Sequence, residues 1–145
     1  MLSDHLTDRS PASRGAAWLA SALVLAALTA AAWYGWLGWD HEYQTDPVTN
    51  VVSGPYETWQ VAGLAVTLLG LAIGAVVLVS PLFPLVVMPL AFTVAWSVDA
   101  ARQDETGLWG AGALFILVGM SLAGVVLAVL ANALLGRRPH RVSPH

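Results

Sequence analysis

The chain contains no cysteine. That removes structural disulfides, thiolate metal sites and CxxC redox chemistry together. Lysine is missing as well, so all six basic residues are arginine, a bias that fits a GC-rich bacterial genome. Charge of either sign is sparse, at 10% of residues against 57% hydrophobic, a balance no ordinary soluble domain shows. Four stretches, 16–37, 59–79, 82–98 and 109–135, hold no Asp, Glu, Lys, Arg or His at all. About 20 apolar residues let a helix cross the hydrocarbon of a bilayer. Four such runs use most of 145 residues and leave no room for a separate aqueous domain.

The emptiness of the spans also argues against common mechanisms. Proton-coupled and ion-conducting proteins usually place an ionisable side chain inside the membrane, and none is present. The chain is similar to the small multidrug exporters and to the fluoride channels in size and span number only. The first family depends on a carboxylate in its first helix, where this chain offers Ser21 and Thr29. Membrane hydrolysis needs a nucleophile beside a base or a metal. The hydroxyls of Thr67, Thr93, Ser97 and Ser121 have no such neighbour in sequence and are expected to bond their own helices. Asp40-His41-Glu42 has the right residue types for a metal, but adjacent loop residues point apart and one His is weak for zinc. A solvated acidic loop is the simpler reading. No catalytic residue, metal or cofactor is therefore assigned, and the short basic tail offers no nucleic-acid face.

What charge there is sorts cleanly. The tails carry Arg9, Arg14, Arg137, Arg138 and Arg141 against Asp4 and Asp8. The loops after the first and third spans carry Asp40, Glu42, Asp46, Glu57, Asp99, Asp104 and Glu105 against Arg102 alone. Basic flanks stay cytoplasmic, so both termini are expected inside a bacterial cytoplasmic membrane and both acidic loops outside. The expected fold is an all-α membrane protein, a four-helix antiparallel transmembrane bundle with a short extracytoplasmic β-hairpin loop. Its parts are a cytoplasmic tail at 1–15, a transmembrane domain at 16–136 and a second tail at 137–145. The spans run about 16–38, 58–79, 82–99 and 107–135, with the outer loop at 40–57. A secretory signal cleaved after Ala30-Ala31-Ala32 competes with a retained first span. The apolar run continues through Trp33, Tyr34, Trp36 and Leu37, which favours retention.

Small residues recur at four-residue spacing, the usual device for close helix contact in lipid. Ala22, Ala26 and Ala30 form one stripe on the first span, with Ala27, Ala31 and Gly35 on another. The second span has Ala62, Val66, Gly70 and Gly74, and the fourth has Gly124, Ala128, Asn132 and Gly136. Packing within the chain is the simplest use of Gly70, Gly74, Gly124, Ala128 and Asn132, and a face for a second membrane protein or a second copy is the alternative. Ser80-Pro81 predicts a tight hairpin between spans two and three, and Pro89 should kink the third. Gly136-Arg137-Arg138-Pro139 reads as a helix stop, and Asp99 with Arg102 as a local ion pair.

In the outer loop, Asp46-Pro47-Val48-Thr49-Asn50 predicts a turn between strands near His41–Thr45 and Val51–Ser53. Pro55 and Glu57 suit the first turn of the next helix. Asp104, Glu105 and Thr106 supply capping groups for the fourth span. Aromatic residues gather at the outer ends: Trp33, Trp36, Trp39, Tyr43, Tyr56, Trp59, Trp96 and Trp109, with only Trp18 at the inner boundary. Interfacial belts normally occupy both sides. Together with His41 they are a candidate outer-face interaction surface, weighed against a plain interfacial anchor. The leading functional expectation is a non-enzymatic accessory or scaffold subunit in the lipid bilayer. A small oligomeric transporter and an envelope sensor or lipid-binding protein are the alternatives.

Overall fold

A computed structural model of the chain describes residues 11–42, 44–45, 47–50, 52–54, 56–104 and 106–135. Four helices make up the fold: α1 (Pro11–Trp36), α2 (Thr58–Leu78), α3 (Leu82–Gln103) and α4 (Trp109–Leu135). Each is long and apolar enough to cross a membrane, so the protein is a four-span integral membrane protein. The loop between α1 and α2 holds a two-residue antiparallel ladder, β1 (Gln44–Thr45) on β2 (Val52–Ser53), paired Gln44 to Ser53 and Thr45 to Val52. A ladder this short adds no layer, and the class is all-α. Asn50, at the end of the turn, adopts φ 51°, the left-handed conformation that Asn tolerates.

Two helices outrun their apolar stretches. α1 begins at Pro11, inside the expected polar tail, and α3 continues past Val98 to Gln103. The second extension carries α3 past the expected end at 99 and adds Gln103 to the helix that bears Asp99. α3 runs unbroken through Pro89, which is buried. Val79–Pro81 link α2 to α3, and the Phe83 amide donates to the Ser80 carbonyl at 3.2 Å. α2 starts one residue after Glu57, which is its N-cap rather than part of its first turn. Glu57 and Gln60 form a reciprocal capping box.

The helices do not form a closed square. α1, α2 and α3 pack mutually, and α4 lies beside α3 alone. Two small cores result. One gathers Ala32, Trp33, Leu37, Leu64, Phe92 and Ala95 toward the acidic end of the bundle. The other gathers Leu25, Ala75, Phe83 and Met88 toward the opposite end, where Trp18 meets Phe83 edge-on at 4.7 Å. On α1, Ala22 and Ala30 pack against these cores, while Ala27, Ala31 and Gly35 face outward. The membrane hydroxyls mostly bond their own helix: Ser21 donates to Ala17 O, Thr29 to Leu25 O, Thr67 to Gly63 O and Ser121 to Leu117 O. Thr93 is different, since its buried Oγ1 has no partner among the described residues.

Close approach is made by other glycines than the GxxxG pair. A Cβ built at Gly63 would run into the Trp36 ring. One at Gly112 would lie 2.5 Å from Trp96 Cη2, and one at Gly124 would lie 2.7 Å from Leu85 Cδ2. Gly70 and Gly74 meet nothing within 4 Å. Of the fourth-span residues, Gly124 therefore carries a close contact, Ala128 is half-buried and Asn132 is exposed. Gly136 and the Arg137–Pro139 stop lie outside the described residues. The Trp36 ring is rigid and cannot yield, so Gly63→Leu should lower stability in detergent by about 1–3 kcal/mol. Gly70→Leu should leave it within about 0.5 kcal/mol. Thermal unfolding followed by circular dichroism ranks the pair, and equal losses would contradict the packing described.

Candidate functional site

The acidic end of the bundle carries a cleft of about 300 Å³, open to solvent. α3 provides its floor. Trp96, Asp99, Ala100 and Gln103 recur at helical spacing, so one face of the last two turns presents all four. His41 from the α1–α2 loop, Tyr56 from the approach to α2, Asp104 from the α3–α4 link and Trp109 from the start of α4 complete its lining.

Each wall is held from behind. Trp96 is half-buried and seated on Gly112 of α4. Tyr56 packs edge-on against Trp33 at 5.9 Å, and Trp33 in turn meets Phe92 of α3 at 5.5 Å. Trp33 is only 1% exposed and its Nε1 has no partner among the described residues, so it is core rather than surface. Asp99 Oδ2 accepts from Gln103 Nε2 at 3.0 Å and lies 3.4 Å from His41 Nε2. The expected Asp99–Arg102 pair does not form, because helix α3 turns Asp99 toward the cleft and His41. Among the described residues, neither Asp99 nor Asp104 meets an arginine.

A second polar cluster fixes the loop beside the cleft. Gln60, 1% exposed, donates from Nε2 to Asp40 Oδ2 at 2.9 Å, and its Oε1 accepts from the Glu57 amide at 2.6 Å. The end of α1 is thereby tied to the N-terminus of α2. Leaving a buried amide unsatisfied costs about 1–3 kcal/mol, so both bonds matter. Asp40, His41 and Glu42 do not converge: Asp40 faces Gln60, His41 faces Asp99, and the Glu42 amide donates back to Asp40 Oδ1 at 3.3 Å.

The remaining aromatics serve elsewhere. Trp36 lies against Trp59 with ring centroids 6.1 Å apart, and its Nε1 donates to Thr67 Oγ1 at 3.0 Å across the α1–α2 interface. Trp59 donates to the Glu57 carboxylate, and Trp39 donates to Gly35 O on its own helix at 3.2 Å. Both are well exposed and suit an interfacial role. Tyr43, with Asp46, Val51, Pro55 and Glu105, lies outside the described residues. The collar thus divides: His41, Tyr56, Trp96 and Trp109 line one cleft, and Trp33, Trp36, Trp39 and Trp59 do not. Sequence reasoning missed Asp99, Gln103 and Asp104 as cleft residues. For Asp99 and Gln103 the signal was available in the continuation of the Trp96 face at spacings of three and seven, whereas Asp104 lies just beyond the helix.

Fold and site together define a four-span membrane protein with an acidic, aromatic-walled cleft at one end. No protein-family model, curated protein or solved structure matches the chain.

Asp104 organises the rim. Its Oδ2 accepts from the Trp109 amide at 2.8 Å, and its Oδ1 accepts from the Thr106 hydroxyl and amide at 2.6 and 2.7 Å. Gly107, at φ 75°, completes the turn in a conformation few other residues adopt. The Thr106 hydroxyl bond first, then the backbone bonds from Trp109 and Thr106, hold the Asp104 carboxyl below its ordinary value of 3.8. The charged form is the one the folded turn favours. Its contribution is full above that ordinary value and fades as pH falls through the lowered one. A carbon-13 titration of the Asp104 carboxyl should give a midpoint below 3.8 that moves back toward the ordinary value in Thr106→Ala, the backbone bonds keeping part of the shift. A midpoint at or above 3.8 in the parent protein would refute the capping role.

Proposed function

We propose that this protein is a non-enzymatic accessory subunit of the cell envelope whose cleft is a recognition site facing out of the cytoplasm. The observation that carries the reading is the cleft itself. Segments from the loop, α3 and α4 bring three aromatic rings and two carboxylates to one solvent-facing concavity. Three features support binding over catalysis or transport. Among the described residues, no serine or threonine lines the cleft for His41 to activate. The helix behind it is filled, with Met88, Pro89, Phe92 and Ala95 all buried. The spans bring no charge to line a path. The arginine-rich tails favour the opposite end as cytoplasmic. α4, attached through α3 alone, leaves apolar surface for lipid or for a neighbouring membrane subunit.

Two measurements test this. The chain has no native cysteine, so Val48→Cys, in the exposed loop, gives a unique thiol. A membrane-impermeant maleimide should label it in intact cells, and labelling only after lysis would reverse the orientation. Native mass spectrometry after mild extraction should then show a bound component on the parent protein. A triple variant W96L/D99N/W109L with unchanged helix content should lose it. Retention of the same component by the variant, or its absence from the parent, would overturn the recognition reading.

A further inference from the structure

We infer that the cleft takes an organic cation, a primary to quaternary ammonium group carried on a small solute or on a lipid head group. The inference rests on the recognition reading above and specifies its chemistry. Aromatic faces attract cations through the negative face of their quadrupole, most strongly for tryptophan. Here Trp96 and Trp109 stand on a concave surface with Tyr56. Among the described residues neither tryptophan is engaged in a ring pair, since the ring contacts are Trp18–Phe83, Trp33–Tyr56, Trp33–Phe92 and Trp36–Trp59. Two carboxylates share the cleft with them. Asp99 is mostly shielded, with 17% of its side chain exposed, and its nearest cationic group is an imidazole at 3.4 Å rather than a permanent charge. With no arginine beside it among the described residues and partial shielding from solvent, this carboxylate is placed to attract an incoming cation.

The alternatives fit less well. An anion would meet Asp99 and Asp104 with only His41 to offset them. A metal ion asks for several converging oxygen or nitrogen ligands, and among the described residues no group of three such side chains converges. A neutral sugar would stack on the rings but would leave the carboxylate charge unanswered. The volume of about 300 Å³ lies at the small end of ligand sites and suits a head group better than a larger molecule. Gln103, anchored on Asp99, contributes a fixed amide on the same helical face.

The test uses the full chain labelled with 5-fluorotryptophan in nanodiscs of phosphatidylglycerol, with resonances assigned from single Trp→Phe variants. Tetramethylammonium chloride should shift Trp96 and Trp109 saturably and leave Trp18, at the other end of the bundle, unmoved. Sodium chloride at equal ionic strength and the neutral isostere of choline, 3,3-dimethylbutanol, should give no saturable shift. Asp99→Asn should weaken the response about tenfold, a loss of about 1.4 kcal/mol. If that variant disturbs the Trp36 resonance, and hence the fold, Trp109→Leu read at Trp96 provides the same comparison. Nanodiscs containing phosphatidylethanolamine, with no solute added, separate the sources: shifts there assign the ammonium to lipid, and shifts from solute alone assign it to a free cation. No saturable shift in either arm, or an equal response to the neutral isostere, would overturn the inference. A cleft-dependent component in native mass spectrometry without any cation response would reject the ligand class alone. Absence of both would reject the recognition reading as well.

Discussion

Rigid rings seated on glycine are the contacts on which the rest of this structure depends. Within lipid no water is expelled between helices, so association rests on close packing and a few interhelical hydrogen bonds. Trp36 on Gly63 brings α1 to α2, and the Trp36–Thr67 bond adds roughly 1 kcal/mol of the kind lipid permits. Trp96 on Gly112 and Leu85 on Gly124 bring α4 to α3. α4 has no other helical neighbour, so these two notches fix its height and rotation along α3. That in turn sets where Trp109 stands relative to Trp96, and both line the cleft.

The acidic end has a second kind of order that the opposite end does not share among the described residues. Gln60 joins Asp40, in the loop just beyond α1, to the first turn of α2, and Asp104 joins the end of α3 to the beginning of α4. Both satisfy amide groups that a helix terminus leaves open. Each also stands next to the cleft, so the same side chains that finish the helices hold its walls. The carboxylates there are consequently not interchangeable. Asp40 and Asp104 are committed to backbone and amide donors, whereas Asp99 has one amide and a distant imidazole.

The membrane class was legible in the sequence because it rests on a property with no competing explanation: four charge-free runs of spanning length. Asn50 in the loop was legible for a similar reason, since few residues adopt its backbone conformation at low cost. The contacts were harder. Glycines at four-residue spacing suggested Gly70 and Gly74, yet the notches used are Gly63 and Gly112, each defined by a large ring on another helix. Spacing along one helix records which residues share a face, not which face meets a neighbour. The end of α3 was obscured by charge. Asp99 and Arg102 look like the start of a loop when helices are ended at the first ionisable residue. A helix that leaves the bilayer keeps its backbone bonds and simply changes its side chains, and the cleft floor lies in that extra turn.

This position has a consequence for how the molecule could respond to what it binds. Among the described residues, His41 of the α1–α2 loop reaches Asp99 of α3 at the cleft, 3.4 Å away. α4 reaches the same region through the Asp104 turn and the seat of Trp96. A cation held between Trp96, Trp109 and Asp99 would compete with His41 for the carboxylate while drawing α4 toward α3. Apart from this site, α4 is joined to the rest of the bundle through α3 and not through α1 or α2. Because α4 presents most of its apolar surface outward, a change in its seating would be transmitted to whatever lies against it in the membrane. α3 is thus the element that joins the aqueous cleft to the outward-facing helix α4.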